Sequence, residues 1–284
     1  MACRIQNKQS GFNLVELVLV IVIIGILVAV LAPVLSKPFQ AYDDLSRRTT
    51  LVDAAQAALS QIAADVRDAI PNTLRTNGTT AVELMPIQLG GRYRYDPVPA
   101  DVTGLTPSAP DASFQVLGNI IALPAGARLV VFNTGAAQFY TAATSGSGGI
   151  ISPVTTSLSL TDNGNEDQIT LSSAYQFDNS GNGSPARRYY IATTPVSYVC
   201  DLANNNLMRY GGYAISASQP TNPAAAPLST SPNRAVIASY VTGCDFEYQP
   251  GTNSRSGLLV MSLTLTLDGE SVEILRQIHV SNVP

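Results

Sequence analysis

The sequence predicts an α+β fold, in which one long helix, first hydrophobic and then amphipathic, packs on a mostly antiparallel β-sheet domain. Three features of the 284 residues support this fold. Residues 17–35 carry no charge, residues 40–70 repeat apolar side chains with a helical period, and the remainder alternates apolar and polar residues between turns. The predicted segments are a basic leader at 1–11, a hydrophobic helix at 12–36, an amphipathic helix at 37–71 and a β-rich domain at 72–284.

The composition differs from that of an ordinary soluble enzyme. Only 13% of residues are charged, Trp is absent, and Lys occurs only as Lys8 and Lys37. Ser, Thr, Asn, Gly and Ala are abundant, as in loop-rich β proteins outside the cell. A net charge of −4 provides no basic stripe or patch for a polyanion. Nucleic acid is therefore not expected as a partner.

The charge-free stretch is long enough to be a transmembrane helix. Its length as a helix is about 28 Å, close to the hydrocarbon thickness of a bilayer. The preceding Arg4 and Lys8 would stay in the cytoplasm. Cleavage as an ordinary signal peptide is disfavoured, because Pro33 follows the best small-residue site. A plain signal anchor remains open, but it accounts for neither Gly11 nor Glu16.

The segment SGFNLVEL, residues 10–17, precedes the hydrophobic stretch. It resembles the processing site of type IV pilins and pseudopilins, in which a Gly ends a basic leader, a Phe follows, and a Glu is fifth in the mature chain. Gly11, Phe12 and Glu16 occupy those positions, while Asn13 replaces the more usual Thr. The resemblance implies that a prepilin peptidase cleaves after Gly11 and methylates the new amino terminus at Phe12.

The same resemblance implies a location and partners. The chain would cross the inner membrane once, with its C-terminal domain in the periplasm, and it would enter a pilus at the cell surface. Its partners would be other minor and major pilins, contacted through the N-terminal helix, together with the prepilin peptidase. No cofactor is expected.

Glu16 is a carboxylate in an otherwise apolar segment. A charge there costs roughly 2.5–3.5 kcal/mol on insertion scales. Cleavage would leave a cationic amine on Phe12. Glu16 of one subunit beside the amine of its neighbour would offset much of the burial cost of both groups. We therefore expect Glu16 to set the register of subunit assembly. The alternative is an interfacial Glu that extends toward lipid headgroups.

An apolar stripe continues the helix beyond the membrane segment, and Pro71 ends it. Pro33 and Pro38 each remove a backbone donor, so a kink is expected near them. A coiled-coil seam is the alternative, although the stripe is short for one. The stripe comprises Leu45, Val52, Ala55, Leu59, Ile62, Val66 and Ala69.

The cysteines predict one disulfide. If Cys3 leaves with the leader, Cys200 and Cys244 remain as an even pair in an exported chain. Their bond would be worth about 3–4 kcal/mol on the chain-entropy model. Two buried free thiols are the alternative. A zinc site is disfavoured, because two Cys and the chain's single His do not complete a tetrahedral shell.

Short segments with period-two alternation predict the β domain. The clearest is a C-terminal hairpin with Asp268-Gly269 as a two-residue type I′ turn. Its inward residues would be Met261, Leu263, Leu265 and Leu267 on one strand and Val272, Ile274, Ile278 and Val280 on the other. The other predicted strands are LMPIQL, RLVVFN, QITLSS, RRYYIA and PVSYVC.

Two turns carry weak calcium signatures. Asp178, Ser180 and Asn182 match the front of a calcium loop, but Tyr189 stands where an EF-hand needs a Glu. Asp162, Glu166 and Asp167 cluster on another turn. Ordinary turn chemistry is the favoured interpretation of both.

No constellation for catalysis is visible, and the chain is not expected to be an enzyme. His279, the single His, falls on the polar face of the last predicted strand, where a solvated role is expected.

The segments DVRDAIPNTLR, PVSYVCDLANNNLMRYGGY and QIHVSNVP resemble the larger minor pilins of MSHA-type pili. The resemblance implies a minor pilin that helps to initiate or complete pilus assembly. Three alternatives stay open: a minor pseudopilin of type II secretion, a pilus-tip adhesin that binds a surface ligand, and an unprocessed anchored binding domain.

Overall fold

The computed structural model describes residues 13–95, 103–106, 109–164, 166–177, 183–252 and 255–283. Their elements confirm the α+β class. The helices are α1 (Leu14–Arg67) and α2 (Ala136–Ser145). The strands are β1 (Arg75–Thr76), β2 (Ala81–Leu84), β3 (Leu89–Tyr93), β4 (Asp111–Leu117), β5 (Arg128–Val131), β6 (Leu158–Thr161), β7 (Gln168–Tyr175), β8 (Arg188–Ala192), β9 (Val196–Asp201), β10 (Asn206–Gly211), β11 (Asn233–Ser239), β12 (Val241–Gln249), β13 (Gly257–Leu267) and β14 (Glu270–Val280).

Helix α1 is a single element of 54 residues. It begins after Asn13, whose carbonyl accepts the N–H groups of Glu16 and Leu17 at 2.9 and 3.1 Å. The helical backbone continues through Pro33 and Pro38, so neither proline ends the helix. The kink predicted at these prolines stays a prediction. The chain divides into two compact units, Met1–Thr50 and Leu51–Pro284.

Within the second unit, one face of residues 51–67 of α1 forms the main core. This face is almost fully buried against strands β2, β9 and β10 and against β12, β13 and β14. Leu45, which was predicted to begin the stripe, is 64% exposed, so the buried stripe starts at Leu51. The buried helix residues are Leu51, Ala55, Ala58, Leu59, Ile62, Ala63 and Val66.

The strands form three antiparallel sheets. The first has the order β1-β2-β9-β10-β11, the second β12-β13-β14, and the third β5-β8-β3-β4-β7-β6. Every pairing between named strands is antiparallel. The third sheet has its own apolar core, which includes Tyr93, Phe114 and Ile169.

The predicted C-terminal hairpin is confirmed as β13 and β14. Leu267 pairs with Glu270, and the two residues between them, Asp268 and Gly269, have φ angles of +47° and +86°. Positive φ at both central positions is the requirement of a type I′ turn. The inward faces are buried at Met261, Leu263, Leu265, Val272, Ile278 and Val280.

One predicted strand is wrong. LMPIQL, residues 84–89, does not form one strand: Leu84 ends β2, Leu89 begins β3, and residues 85–88 connect them. Pro86 has no N–H to donate to a neighbouring strand. The residues on either side of it bond instead to residues just after α1: Ile70 N–H donates to Met85 O, and Ile87 N–H donates to Asp68 O, both at 2.8 Å. The other predicted strands correspond to β5, β7, β8 and β9.

Helix α2 is fixed at its C-terminal end by a buried arginine. Arg128 of β5 is 6% exposed, and its guanidinium donates to Ala143 O at 2.9 Å and to Ser152 O at 2.8 Å. A cation at the C-terminal carbonyls of a helix also interacts favourably with the negative end of the helix dipole. This contact anchors α2 and thereby positions its N-terminal turn, which lines the cavity described below.

A disulfide joins the first and second sheets. Cys200 of β9 is bonded to Cys244 of β12, with Cα atoms 6.6 Å apart and a sequence separation of 44. Both cysteines adjoin the core under α1. The bond therefore links the two sheets that cover the same helix face.

We expect the double substitution Cys200→Ser and Cys244→Ser to lower the free energy of unfolding by about 3–4 kcal/mol, because the unfolded chain regains the entropy of an open loop. Chemical denaturation of the full chain in detergent micelles measures this change. Cys3→Ser is the control, and it should leave the unfolding curve unchanged. Equal curves for the double variant and the native chain would contradict a stabilising role.

Candidate functional site

The N-terminal part of α1 is a candidate membrane segment. Leu14–Leu31 has a mean hydropathy of 3.3, and its side chains are exposed. Among the described residues it is the one helix long and apolar enough to cross a membrane. This is consistent with a single-pass membrane anchor.

Glu16 lies in the first turn of that segment and is exposed. An acidic residue there is favoured by the positive end of the helix dipole. Among the ion pairs of the described residues, none involves Glu16. The structure thus leaves the carboxylate accessible to a cation from another chain.

Several predicted site residues fall outside the described part of the chain. They are the cleavage and methylation residues Gly11 and Phe12 and the calcium candidates Asp178, Ser180 and Asn182. Their predicted roles stay predictions.

The second calcium candidate does not form a cluster. Asp162 accepts the N–H of Gly164, Glu166 pairs with Arg94 at 2.5 Å, and Asp167 accepts a backbone N–H. The described residues include no group of three or more His, Cys, Asp or Glu side chains placed to hold a metal ion. His279 is exposed on β14, as predicted.

A buried polar network lies between β1, β2 and the segment after β10. The side chain of Glu83 is fully buried and accepts from Arg75 Nε at 2.6 Å and from the Tyr213 hydroxyl at 3.0 Å. Tyr213 and Ser197 share a further hydrogen bond of 2.6 Å. The Arg75 guanidinium also lies 3.4 Å from the ring centroid of Tyr140.

Burial dominates the electrostatics of this network. It raises the pKa of Glu83, although the hydrogen bond and the charge of Arg75 act in the opposite direction. Burial and the nearby Glu83 charge also raise the pKa of Tyr213. A second, more exposed link connects α1 to the first sheet, where Asp65 accepts from the Tyr198 hydroxyl at 2.8 Å and from Arg209 Nε at 2.9 Å.

The sequence patterns did not reveal the Arg75–Glu83 pair. Its signal is a single charge in the apolar strand AVEL, placed opposite Arg75 by the register of β1 and β2. That register depends on the tight connection between the two strands.

A cavity of about 600 Å³ lies beside the buried pair, and we name it the junction cavity. It is bounded by β1 of the first sheet, the end of β12 of the second sheet, the N-terminal turn of α2 and the segment after β10. Its lining residues are Asn72, Leu74, Arg75, Thr76, Asn77, Thr134, Gly135, Ala136, Ala137, Gln138, Ala217, Gln219, Tyr248, Pro250 and Gly251.

Comparison with known protein families identifies the N-terminal segment. Residues 6–32 match the family model described as the prokaryotic N-terminal methylation motif. This match supports a type IV pilin-like or pseudopilin protein, a class that interacts with other pilins and with a prepilin peptidase. No curated protein and no solved structure matches the chain.

We expect Arg75→Met to lower the free energy of unfolding by about 3–5 kcal/mol at pH 7, because it leaves the buried Glu83 charge without its partner. A carboxyl group with a raised pKa in the folded state favours folding when protonated. The stabilisation that protonated Glu83 gives the folded state is therefore fully present below 4.5, the ordinary pKa of Glu. It is lost as the pH rises through the folded-state pKa of Glu83. The loss of stability caused by Arg75→Met should shrink as the pH falls toward 4.5, because Glu83 is then protonated and has no charge to compensate.

Chemical denaturation at several pH values measures this dependence. Arg209→Met is the matched control, since it removes a partly exposed pair with Asp65 and should cost about 0.2–1 kcal/mol. A cost for Arg75→Met that is the same at pH 7 and pH 4.5 would show that the Glu83 charge is not its source.

Proposed function

We propose that this chain is a minor pilin that helps to initiate or complete assembly of a type IV pilus after cleavage at Gly11 and methylation of Phe12. One observation carries the proposal: the methylation-motif match coincides with an exposed apolar helix that bears a carboxylate in its first turn. We further propose that it acts as a structural subunit and not as an enzyme.

The exposed helix supports assembly through helix contacts. Leu14–Leu31 has an exposed, strongly apolar surface, and a water-exposed surface of this kind is unfavourable. Lipid can cover it in the membrane, and neighbouring helices can cover it in a filament. A neighbouring subunit also supplies a terminal amine that would compensate Glu16.

We further propose that the pilus is of the MSHA type, because the sequence resembles the MSHA biogenesis protein MshO. The size of the globular unit, Leu51–Pro284, supports an accessory subunit over a repeating one. A bulky unit would crowd a helical filament but is tolerated at an end. A minor pseudopilin of type II secretion is the nearest rival, and location among secretion genes instead of pilus genes would favour it.

One prediction of this proposal concerns processing of the N-terminus. In membranes of cells with the prepilin peptidase, the chain should begin at N-methylated Phe12, and without the peptidase it should keep residues 1–11. Mass spectrometry of the intact chain distinguishes the two forms.

Two variants sharpen the processing test. Gly11→Val should block cleavage, whereas Asn13→Thr, which restores the more usual residue, should not. A chain that keeps its leader in both strains would overturn the proposal and leave an anchored periplasmic domain.

Another prediction of this proposal concerns the charge of Glu16. Glu16→Gln removes the charge at nearly constant size, so it should insert into the membrane at least as well as the native chain. Its recovery in sheared filaments should nevertheless fall about tenfold, because the compensating pair with a neighbouring amine is lost, and tenfold corresponds to about 1.4 kcal/mol.

Glu16→Asp is the matched control, since it keeps the charge and should retain more filament incorporation than Glu16→Gln. Immunoblots of the filament and membrane fractions give both quantities. Equal incorporation of the native chain and Glu16→Gln would contradict the assembly role of Glu16.

A further inference from the structure

The sequence contains three Asn-Gly steps, at residues 77–78, 163–164 and 182–183. Glycine has no side chain, so its backbone nitrogen can approach the carboxamide of a preceding Asn more closely than that of any other residue. An Asn-Gly step is therefore especially susceptible to attack of the backbone on the Asn side chain. The structure describes both residues of the first two steps, whereas Asn182 lies outside the described residues.

The two described steps are alike in exposure and backbone conformation. Asn77-Gly78 lies between β1 and β2, Asn163-Gly164 follows β6, and all four residues are exposed. The φ angles of Gly78 and Gly164 are +69° and +87°. Neither glycine has a neighbouring atom within 4 Å of the position that a Cβ would take. Both loops therefore leave room for water and for movement of the Asn side chain.

The two steps differ in the hydrogen bonding of the glycine N–H. Gly164 N–H donates to Asp162 Oδ1 at 2.8 Å. Among the hydrogen bonds of the described residues, none uses the Gly78 N–H. A carboxylate bonded to an N–H disfavours loss of the proton, because deprotonation would break a charge-assisted hydrogen bond and place two negative charges together. The nitrogen of Gly78 is therefore the more reactive of the two.

We propose that Asn77 is a site of spontaneous deamidation, with water as the co-reactant. The Gly78 nitrogen loses its proton to solvent and bonds to Asn77 Cγ, while the Cγ–Nδ2 bond breaks and Nδ2 leaves as ammonia. Water then opens the resulting succinimide ring at one of its two carbonyl groups. Opening at Cγ gives Asp, and opening at the backbone carbonyl gives isoaspartate. In either case one carboxamide and one water become one carboxyl group and one ammonia, without a change in oxidation state.

Deamidation would change the charge of the junction cavity. Asn77 lines this cavity, and Arg75 is the one charged side chain among the lining residues. Both products add a carboxylate there. The site lies in the unit Leu51–Pro284, so this modification is separate from the proposed processing and assembly of the N-terminal helix.

Isoaspartate would in addition lengthen the backbone by one methylene group. The backbone is held on both sides of the step. Before it, Thr76 pairs with Val82 in the ladder of β1 and β2. After it, the carbonyl groups of Thr79 and Thr80 accept N–H groups of β12 and β9 at 2.8 and 2.9 Å. The connection that aligns β1 with β2 would therefore be strained.

The test is incubation of the full chain in detergent micelles, followed by digestion and tandem mass spectrometry. Trypsin releases residues 76–92, and deamidation makes this peptide about 1 Da heavier. We expect Asn77 to react about tenfold faster than Asn163, because the hydrogen bond to a charged group must first break at the second site. The rate at Asn77 should rise about tenfold per pH unit between pH 7 and pH 9, since the deprotonated nitrogen is the nucleophile.

Two variants and one condition serve as matched controls. Asn77→Gln should leave the mass of residues 76–92 constant during incubation, because the longer side chain forms the cyclic intermediate much more slowly. Asp162→Ala frees the Gly164 N–H and should raise the rate at Asn163 about tenfold. In guanidinium chloride the native chain should deamidate at similar rates at Asn77 and Asn163, because unfolding removes the difference in hydrogen bonding.

A constant mass of residues 76–92 in the native chain at pH 9 would overturn the proposal. So would a rate at Asn163 equal to or above that at Asn77 in the folded chain, or an unchanged rate at Asn163 in Asp162→Ala. Processing and filament recovery of Asn77→Gln should match those of the native chain, so deamidation and the assembly role are tested independently.

Discussion

The burial of one face of α1 is the constraint on which the globular unit depends. Leu59, Ile62 and Val66 are almost completely removed from solvent, and each such side chain contributes about 1.5–3 kcal/mol. Strands of the first and second sheets both pack on this face. The helix is therefore their common support, and the Cys200–Cys244 bond joins the two sheets directly beside it.

The two parts of α1 differ in how their apolar side chains are distributed around the helix. Beyond Leu51 the apolar side chains form a stripe, and the sheets of the same chain cover it. In Leu14–Leu31 the apolar side chains surround the helix, which indicates an environment that is apolar on every side. A carboxylate is costly in such an environment unless a cation meets it, and this cost is the physical basis of the proposed role of Glu16 in subunit assembly.

Features that depend on neighbouring residues could be predicted from the sequence, whereas features that depend on contacts between distant residues could not. The C-terminal hairpin was predicted because alternation and an Asp-Gly turn are local features, and the helix stripe because its period is local. LMPIQL was mispredicted because its backbone bonds to residues 68 and 70, a contact that alternation does not encode. The start of the buried stripe at Leu51 instead of Leu45 likewise depends on where the sheets end, which no helical period specifies.

The junction cavity was beyond such prediction for the same reason. Its wall brings together residues near positions 75, 136, 219 and 248, and no period links them. Strand pairings and contacts between distant residues, such as the register of β1 with β2 and the anchoring of α2 by Arg128, place these segments around one space. The buried Arg75–Glu83 pair then compensates the charge of the single cation of the wall. The position of the junction cavity is thus a consequence of how strands distant in sequence and α2 are placed, and all its lining residues belong to the unit Leu51–Pro284.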